Sequence, residues 1–396
     1  MSKKDNVAAV PKYRFPEFAL DASIDYVAGG VIFDPITNRN HHADLPILAI
    51  TQEYGAIPRD EIDYKVSVTK KSLKAYKIVE KGDFIISLRS FQGGIEYSMY
   101  DGICSPAYII LRKKTNIIDQ YYKYYFKSHR FIQDLNKDLE GIRDGKMISY
   151  GQFSSILLPK PDEEEQQKIA DCLSSVDELI SAEAKKLSLL NDYKKGWMQK
   201  LFPAEGKTVP EWRFPEFKDS VEWEENIMDD IVICNNSTIS LNKIELKQSG
   251  YPVYGADGVV GNIDHFQQSE KYISMVKDGS GVGRLNLNTS HSSVLGTLSC
   301  LKSKNKTKYL LEWIYYYLNS IDFSVYVKGS GIPHIYYSDY KNRIISVPSL
   351  PEQQKIADFL SGIDELISRQ KDKIEELKQH KKALMQGLFP VAEEVL

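Results

Sequence analysis

The sequence predicts an α+β protein in which two globular, α/β-mixed domains are joined by two long helices, paired antiparallel as a coiled coil in a pseudo-two-fold, circular arrangement. Three observations predict it. A long segment recurs at a constant offset of 187 residues, each copy carries a sustained apolar heptad, and a second short motif is placed so that the two chain ends complete one junction.

The run Glu165-Gln166-Gln167-Lys168-Ile169-Ala170-Asp171 returns as Glu352-Gln353-Gln354-Lys355-Ile356-Ala357-Asp358, and the match continues without a gap. Asp177-Glu178-Leu179-Ile180-Ser181 pairs with Asp364-Glu365-Leu366-Ile367-Ser368, and Leu201-Phe202-Pro203 with Leu388-Phe389-Pro390. Between 165–203 and 352–390, 23 of 39 positions are identical, too many for coincidence. Separately, Arg14-Phe15-Pro16-Glu17-Phe18 returns as Arg213-Phe214-Pro215-Glu216-Phe217, preceded by Pro11 and Pro210. In mid-chain this motif follows Leu-Phe-Pro, whereas at the ends the chain starts with one and finishes with the other. The N-terminal segment is therefore expected to dock near the end of the second long helix.

Apolar residues in each long repeat fall at alternating spacings of four and three, the mark of a coiled-coil seam. The first copy gives Ile169, Leu173, Val176, Ile180, Leu187, Leu190, Trp197 and Leu201; the second gives Ile356, Leu360, Ile363, Ile367, Ile374, Leu377, Leu384 and Leu388. Pro161 and Pro348 precede the helices, and Pro203 and Pro390 end them. Each would be about 57 Å long at ~1.5 Å per residue. The seam is interrupted by Glu183 and Lys194 in one copy and by Gln370 and Lys381 in the other. If the helices run antiparallel, Glu183 and Gln370 meet at the centre. Either they form a polar layer that fixes register, or they snorkel out of a loose seam.

Between the helices lie unlike segments with short β-rich runs: Asp83-Phe84-Ile85-Ile86-Ser87-Leu88, Ala107-Tyr108-Ile109-Ile110-Leu111 and Tyr272-Ile273-Ser274-Met275-Val276. Each segment also holds an aromatic helical patch, Tyr121 to Phe126 and Trp313 to Leu318. One scaffold thus carries two different globules.

Net charge is −3, but its distribution is uneven. Residues 61–146 hold 16 Lys/Arg against 11 Asp/Glu, and residues 230–343 hold 12 against 9. Acidic surplus concentrates in Asp162-Glu163-Glu164-Glu165 and Glu393-Glu394. Two mildly basic regions suit local phosphate contact, although ordinary solvated surface would look the same. Cys104, Cys172, Cys234 and Cys300 lack metal-ligand spacing and are expected to be reduced in a cytoplasmic protein. No apolar run is long enough to predict a membrane span, and the polar start Met1-Ser2-Lys3-Lys4-Asp5-Asn6 lacks a signal-peptide core.

With the duplicated helix starts, the Leu-Phe-Pro ends and the duplicated Arg-Phe-Pro-Glu-Phe motif, the chain resembles the specificity subunits of Type I restriction–modification enzymes along essentially its whole length. Ser87-Leu88-Arg89-Ser90-Phe91-Gln92-Gly93-Gly94 and Tyr251-Pro252-Val253-Tyr254-Gly255-Ala256-Asp257-Gly258 are similar to passages of that family's variable domains. One local departure is Ala19-Leu20-Asp21-Ala22, which lacks a counterpart of Trp223. The resemblance implies target-recognition domains at 19–160 and 218–347, each reading half of a split, asymmetric site in double-stranded DNA. It implies conserved helices at 161–203 and 348–390 acting as a ruler, an N-terminal segment 1–18, a linker and lead-in motif 204–217, and a tail 391–396. The helices would bind two methyltransferase (modification) subunits, to which restriction/translocase subunits add. No cofactor is expected in this chain; S-adenosylmethionine, ATP and Mg would belong to the partner subunits.

Specific readout needs hydrogen bonds to base edges and a larger set of phosphate contacts. Candidates in the first domain are Arg89, Ser90 and Gln92 in a Gly-rich loop, with Arg143 and Lys146 in a second loop. Arginine suits guanine and glutamine suits adenine in the major groove, while glycines let the backbone approach closely. The second domain offers Lys277, Ser280 and Arg284 around Gly279-Ser280-Gly281-Val282-Gly283, and His334 and Tyr336. Turn glycines flanked by surface charge are the competing explanation, and a lone histidine is more often structural.

Enzymatic alternatives fare poorly. There is no P-loop, no zinc motif and no Asn/Asp-Pro-Pro-aromatic tetrad of an adenine methyltransferase. The residues after Gly283 look extended, whereas a dinucleotide loop should open a helix. Asp162 to Glu165 opens a helix, where carboxylates stabilise the positive end of the dipole. Two other functions compete with DNA specificity: a coiled-coil scaffold whose globules bind proteins, and a guide for a fused or Type II-like methyltransferase-nuclease.

Overall fold

A computed structural model describes residues 8–21, 23–41, 45–62, 70–137, 148–329 and 331–390. The chain divides into two compact units, Met1–Glu183 with Lys373–Leu396, and Ala184–Asp372. Both long helices are 39 residues, Glu163–Leu201 and Leu350–Leu388, so their bounds repeat the 187-residue offset. They start two residues later and stop two residues earlier than the helical segments the sequence predicts. Pro203 disfavours helical geometry at Phe202 before it, so the last helical residue is Leu201. Pro351 fits the first turn of the C-terminal helix, where its missing N–H has no helical partner to lose. No helix among the described residues is long and apolar enough to cross a membrane.

In the first unit the main sheet is antiparallel, in the order Phe33–Ile36, Ile109–Lys113, Phe84–Ile86 and Glu96–Tyr97. All of Phe84, Ile85 and Ile86 are buried because the sheet is covered on both faces. Alternation sends Phe84 and Ile86 to an aromatic core and Ile85 to a smaller cluster with Leu48, Val79 and Cys104. Helix Asp119–Tyr125 fills the aromatic side with Tyr121, Tyr122 and Tyr125. Edge-to-face contacts such as Phe33–Phe84 at 5.3 Å and Phe84–Phe126 at 5.1 Å follow the ring quadrupoles.

The second unit repeats this plan with other residues. Its sheet runs Val232–Asn236, Leu298–Ser303, Tyr272–Val276 and Leu285–Asn288, again antiparallel. Ile273 and Met275 face the main core, while Tyr272 and Val276 face a second cluster. Helix Leu311–Asn319 takes the place of the tyrosine helix, with Trp313 stacked obliquely on Tyr317 at 5.1 Å.

The duplicated motif is the fastener between globule and helix. In the first unit Glu165 accepts two hydrogen bonds from Arg14, and Gln166 accepts from the Ile118 backbone N–H at 3.0 Å while donating to Pro161 O at 2.7 Å. In the second, Glu352 accepts two from Arg213, and Gln353 accepts from Leu310 N–H at 2.8 Å while donating to Pro348 O at 2.9 Å. Ile169, Ala170, Ile356 and Ala357 are buried behind these contacts. Tyr13 N donates to Gly387 O at 2.8 Å, and Trp212 N donates to Lys200 O at 3.0 Å in the other unit. The N-terminal lead-in therefore rests on the end of the C-terminal helix.

Within each unit the helix segments run antiparallel, since rising numbers on one meet falling numbers on the other. Lys381 pairs with Asp177 at 2.6 Å and Lys373 with Glu183 in the first unit; Lys194 pairs with Asp364 at 2.6 Å in the second. The polar seam residues thus have defined roles: Lys194, Lys381 and Glu183 make ion pairs, and Gln370 is buried. Of the apolar seam, Ile169, Leu173, Ile356, Leu360, Ile363, Ile367 and Ile374 are buried. Val176, Ile180, Leu187, Leu190 and Leu377 are half-buried, as two helices alone cannot enclose every seam position.

Candidate nucleic-acid interface

The sheet orders place the first set of candidates of each domain on the corresponding hairpin of its own sheet. Arg89, Ser90 and Gln92 lie between strands Phe84–Ile86 and Glu96–Tyr97, the third and fourth in the sheet. Lys277, Ser280 and Arg284 lie between Tyr272–Val276 and Leu285–Asn288, again third and fourth. The two loops share few residues, and the sheet order shows that they correspond.

In the first domain the loop folds into a short turn of helix, Ser90–Gly93. Arg89 and Gln92 are exposed at its ends. Ser90 is not: it is 1% exposed and its hydroxyl accepts from Ser87 N at 2.9 Å, so it braces the loop from inside. Further braces come from Asn136, whose amide donates to Phe91 O at 2.7 Å, and from Lys127, which donates to Gly93 O at 3.0 Å. Lys127 also pairs with buried Glu96 at 2.6 Å. Burial pushes the Glu96 carboxyl above and the Lys127 ammonium below their usual ranges, and each opposes the shift of the other. Arg143 and Lys146 lie outside the described residues.

In the second domain the hairpin turn has Gly279 and Gly283 at φ of +99° and +87°, a backbone that L side chains rarely adopt. The strand that follows, Leu285–Asn288, excludes a helix-opening phosphate loop. The structure brings His334 and Tyr336 to this hairpin: Gly279 N donates to Pro333 O and Ile335 N to Lys277 O, both at 2.9 Å. The His334 and Tyr336 rings lie 5.0 Å apart. Tyr336 is exposed and precedes the short helix Tyr337–Tyr340, as Ser149 precedes Tyr150–Ser155 in the first domain. Lys277 is half-buried against Asp278, and Arg284 reaches aside to Asp257 at 2.6 Å. Ser280 is exposed at the tip.

Sequence reasoning missed the contacts that orient each globule on its helices. Tyr124 donates to Asp177 at 2.8 Å under Lys381, whose ammonium lies 5.0 Å from the ring centre. Tyr316 donates to Asp364 at 2.8 Å under Lys194, 5.3 Å from the ring centre. The signal existed, since both tyrosines sit in the aromatic patches and both aspartates in the repeat. Among the described residues no group of three or more His, Cys, Asp or Glu converges as a metal site would require.

Comparison with known proteins agrees with this architecture. A type I specificity subunit named MjaVIII, from Methanocaldococcus jannaschii, is 27% identical over 84% of this chain and 83% of its own length. The MjaIX specificity subunit from the same organism is 24% identical over 85% and 83%. The crystal structure of a type I restriction–modification S subunit from M. genitalium has the same fold, with a TM-score of 0.60 at 14% identity, covering 97% of this chain and all of that one. The family of the Type I restriction modification DNA specificity domain matches twice, at residues 32–192 and 220–379, and the chain belongs to that family.

Proposed function

We propose that this chain reads DNA for a Type I restriction–modification complex and does no chemistry itself. Each domain reads one half of a bipartite asymmetric site through its third-to-fourth-strand hairpin. The observation that carries this is the pair of hairpins. They are identical in topology and different in side chains, with Arg89 and Gln92 in one domain and Lys277, Ser280 and Arg284 in the other. Two readers of one design but unlike chemistry suit a site whose halves differ.

The paired helices are the mount for two modification subunits. Leu179 and Leu366 occupy the same repeat position and are 44% and 51% exposed, one on each unit. An equal apolar foothold on each unit matches two copies of one partner. Those partners, joined by restriction/translocase subunits, supply S-adenosylmethionine, ATP and Mg chemistry, and extrude the adenine to be methylated. The cytoplasm is the compartment in which such a complex meets the chromosome.

The test is adenine-methylation mapping by long-read sequencing in cells holding this chain with its modification subunit, against the modification subunit alone. A split motif seen only with this chain supports the proposal, and exchange of residues 218–347 then changes one half-motif. Identical methylation in both cells, with the modification subunit active, refutes it. Leu179→Asp and Leu366→Asp together should abolish co-purification of the modification subunit.

A further inference from the structure

We infer that each recognition domain carries a second base-reading loop, the tip of an accessory hairpin that leans on the first, with Gln52 and Tyr54 as specificity-determining residues in the first domain. This deepens the DNA-reading proposal and rests on it. In the first domain, strands Leu48–Thr51 and Gly55–Pro58 form an antiparallel hairpin outside the main sheet. Its tip is preset: Tyr54 N donates to Thr51 Oγ1 at 2.9 Å, and Gly55 takes φ of +72° where a Cβ would lie 2.7 Å from Tyr97 O. The Gln52 amide donates to Arg89 O at 3.2 Å, so this tip touches the candidate loop. Gly93 makes room for it, since a Cβ there would come 2.6 Å from the Gln52 side chain.

The two loops share a cleft of about 610 Å³ lined by Gln52, Tyr54, Arg59, Leu88, Arg89 and Tyr108, among others. Tyr54 is 60% and Leu88 50% exposed, two large apolar groups left open beside an arginine and an amide. That mixture matches the edges of base pairs in the major groove. Arginine takes the guanine O6/N7 pair, a carboxamide takes the adenine N6/N7 pair, and apolar atoms meet the thymine methyl.

The second domain repeats the relationship independently. Strands Tyr251–Gly255 and Gly258–Ile263 form the accessory hairpin, and its tip holds the candidate loop through Arg284, which donates to Asp257 at 2.6 Å and to Ala256 O at 3.2 Å. No sequence repeat links these segments, so the recurrence belongs to the fold. Asp257, almost fully exposed at 91%, can accept from cytosine N4 or release Arg284 toward guanine.

The experiment uses the full chain with its modification subunit. The wild-type motif is mapped first; absence of a split motif at that stage refutes the DNA-reading proposal, not this one. Purified complexes carrying Gln52→Ala with Tyr54→Ala, or Asp257→Ala, are then titrated with the mapped duplex and with duplexes altered in either half. The expected result is at least a tenfold loss of discrimination at one or two positions of the half read by the altered domain. Discrimination at the other half stays within twofold, which also reports that the complex is folded. Discrimination within twofold of wild type at every position overturns the inference, as does equal loss at both halves.

Discussion

The guanidinium of Arg14 is clamped to the carboxylate of Glu165 by two hydrogen bonds of 2.8 Å, with the two side chains 9% and 3% exposed. Arg213 and Glu352 repeat the clamp at 7% and 2%. Such a pair is poor evidence of net stabilisation, yet removal of one partner strands the other charge in a dry site. Arg14→Ala or Arg213→Ala should therefore destabilise its unit by about 3–5 kcal/mol. The neighbouring pair Lys168–Glu17 at 3.0 Å is half-exposed on both sides, so Glu17→Ala should leave the thermal midpoint nearly unchanged. Thermal midpoints of the three variants check the contrast; equal shifts would refute it.

Asp177 receives both the Tyr124 hydroxyl and the Lys381 ammonium, and Asp364 receives those of Tyr316 and Lys194. Burial first, and then the hydrogen bond to the carboxylate, hold both tyrosines well above their usual range. They stay protonated donors at any working pH. Tyr124→Phe and Tyr316→Phe should each cost about 1.5–3 kcal/mol, the value of a hydrogen bond to a charged group. Double-mutant cycles on Asp177/Lys381 and Asp364/Lys194 should give matching couplings of about 0.5–1 kcal/mol, because both pairs are partly solvated.

The scaffold was legible because its signals are local and periodic. Heptads at Ile169 to Leu201 and Ile356 to Leu388, bounded by prolines, specify long helices whatever surrounds them. The duplicated Glu-Gln-Gln-Lys-Ile-Ala-Asp was equally visible, but its chemistry was not. Nothing in sequence says that Glu165 awaits Arg14 across 151 positions. The reading loops were half legible. Glycine and charge marked 87–94 and 279–284, yet Ser90 turned inward because its hydroxyl closes the Ser87 turn. Gln52 and Tyr54 gave no signal, since a polar hairpin tip is ordinary until a second loop is found against it.

Cysteine chemistry should separate native from unfolded chain. All four cysteines are free thiols, and burial pushes Cys104 and Cys300 up to about 12 and Cys234 up to about 11. At pH 8 only about one in 10⁴ of the first two would be thiolate, the reactive form. Cys172, half-buried on the central helix, is raised less and should label first with an alkylating reagent. The sign for stability follows from the same shifts. With folded values above unfolded ones, the buried thiols contribute fully below about pH 8.5 and the contribution is lost as pH rises toward 12. Labelling of Cys104 or Cys300 before Cys172 in the native chain would contradict the burial.

The two hairpins should respond to the same substitution to different degrees. Gly94 ends the first loop at φ of +78°, and a Cβ there would lie 1.9 Å from Phe126 O, in the aromatic core. Backbone cannot yield by that much, so Gly94→Ala should cost at least about 3 kcal/mol and displace the Arg89 loop. Gly279 has φ of +99° but nothing within 4 Å of its missing Cβ. Gly279→Ala should therefore cost only the left-handed strain, about 1–2 kcal/mol, and leave the domain folded. Methylation mapping then distinguishes the two: Gly94→Ala removes the first half-motif by unseating its reader, while Gly279→Ala keeps both halves. If Gly94→Ala folds and methylates as wild type does, the first loop is not held against the core as described, and Arg89 loses its claim to a fixed position on DNA.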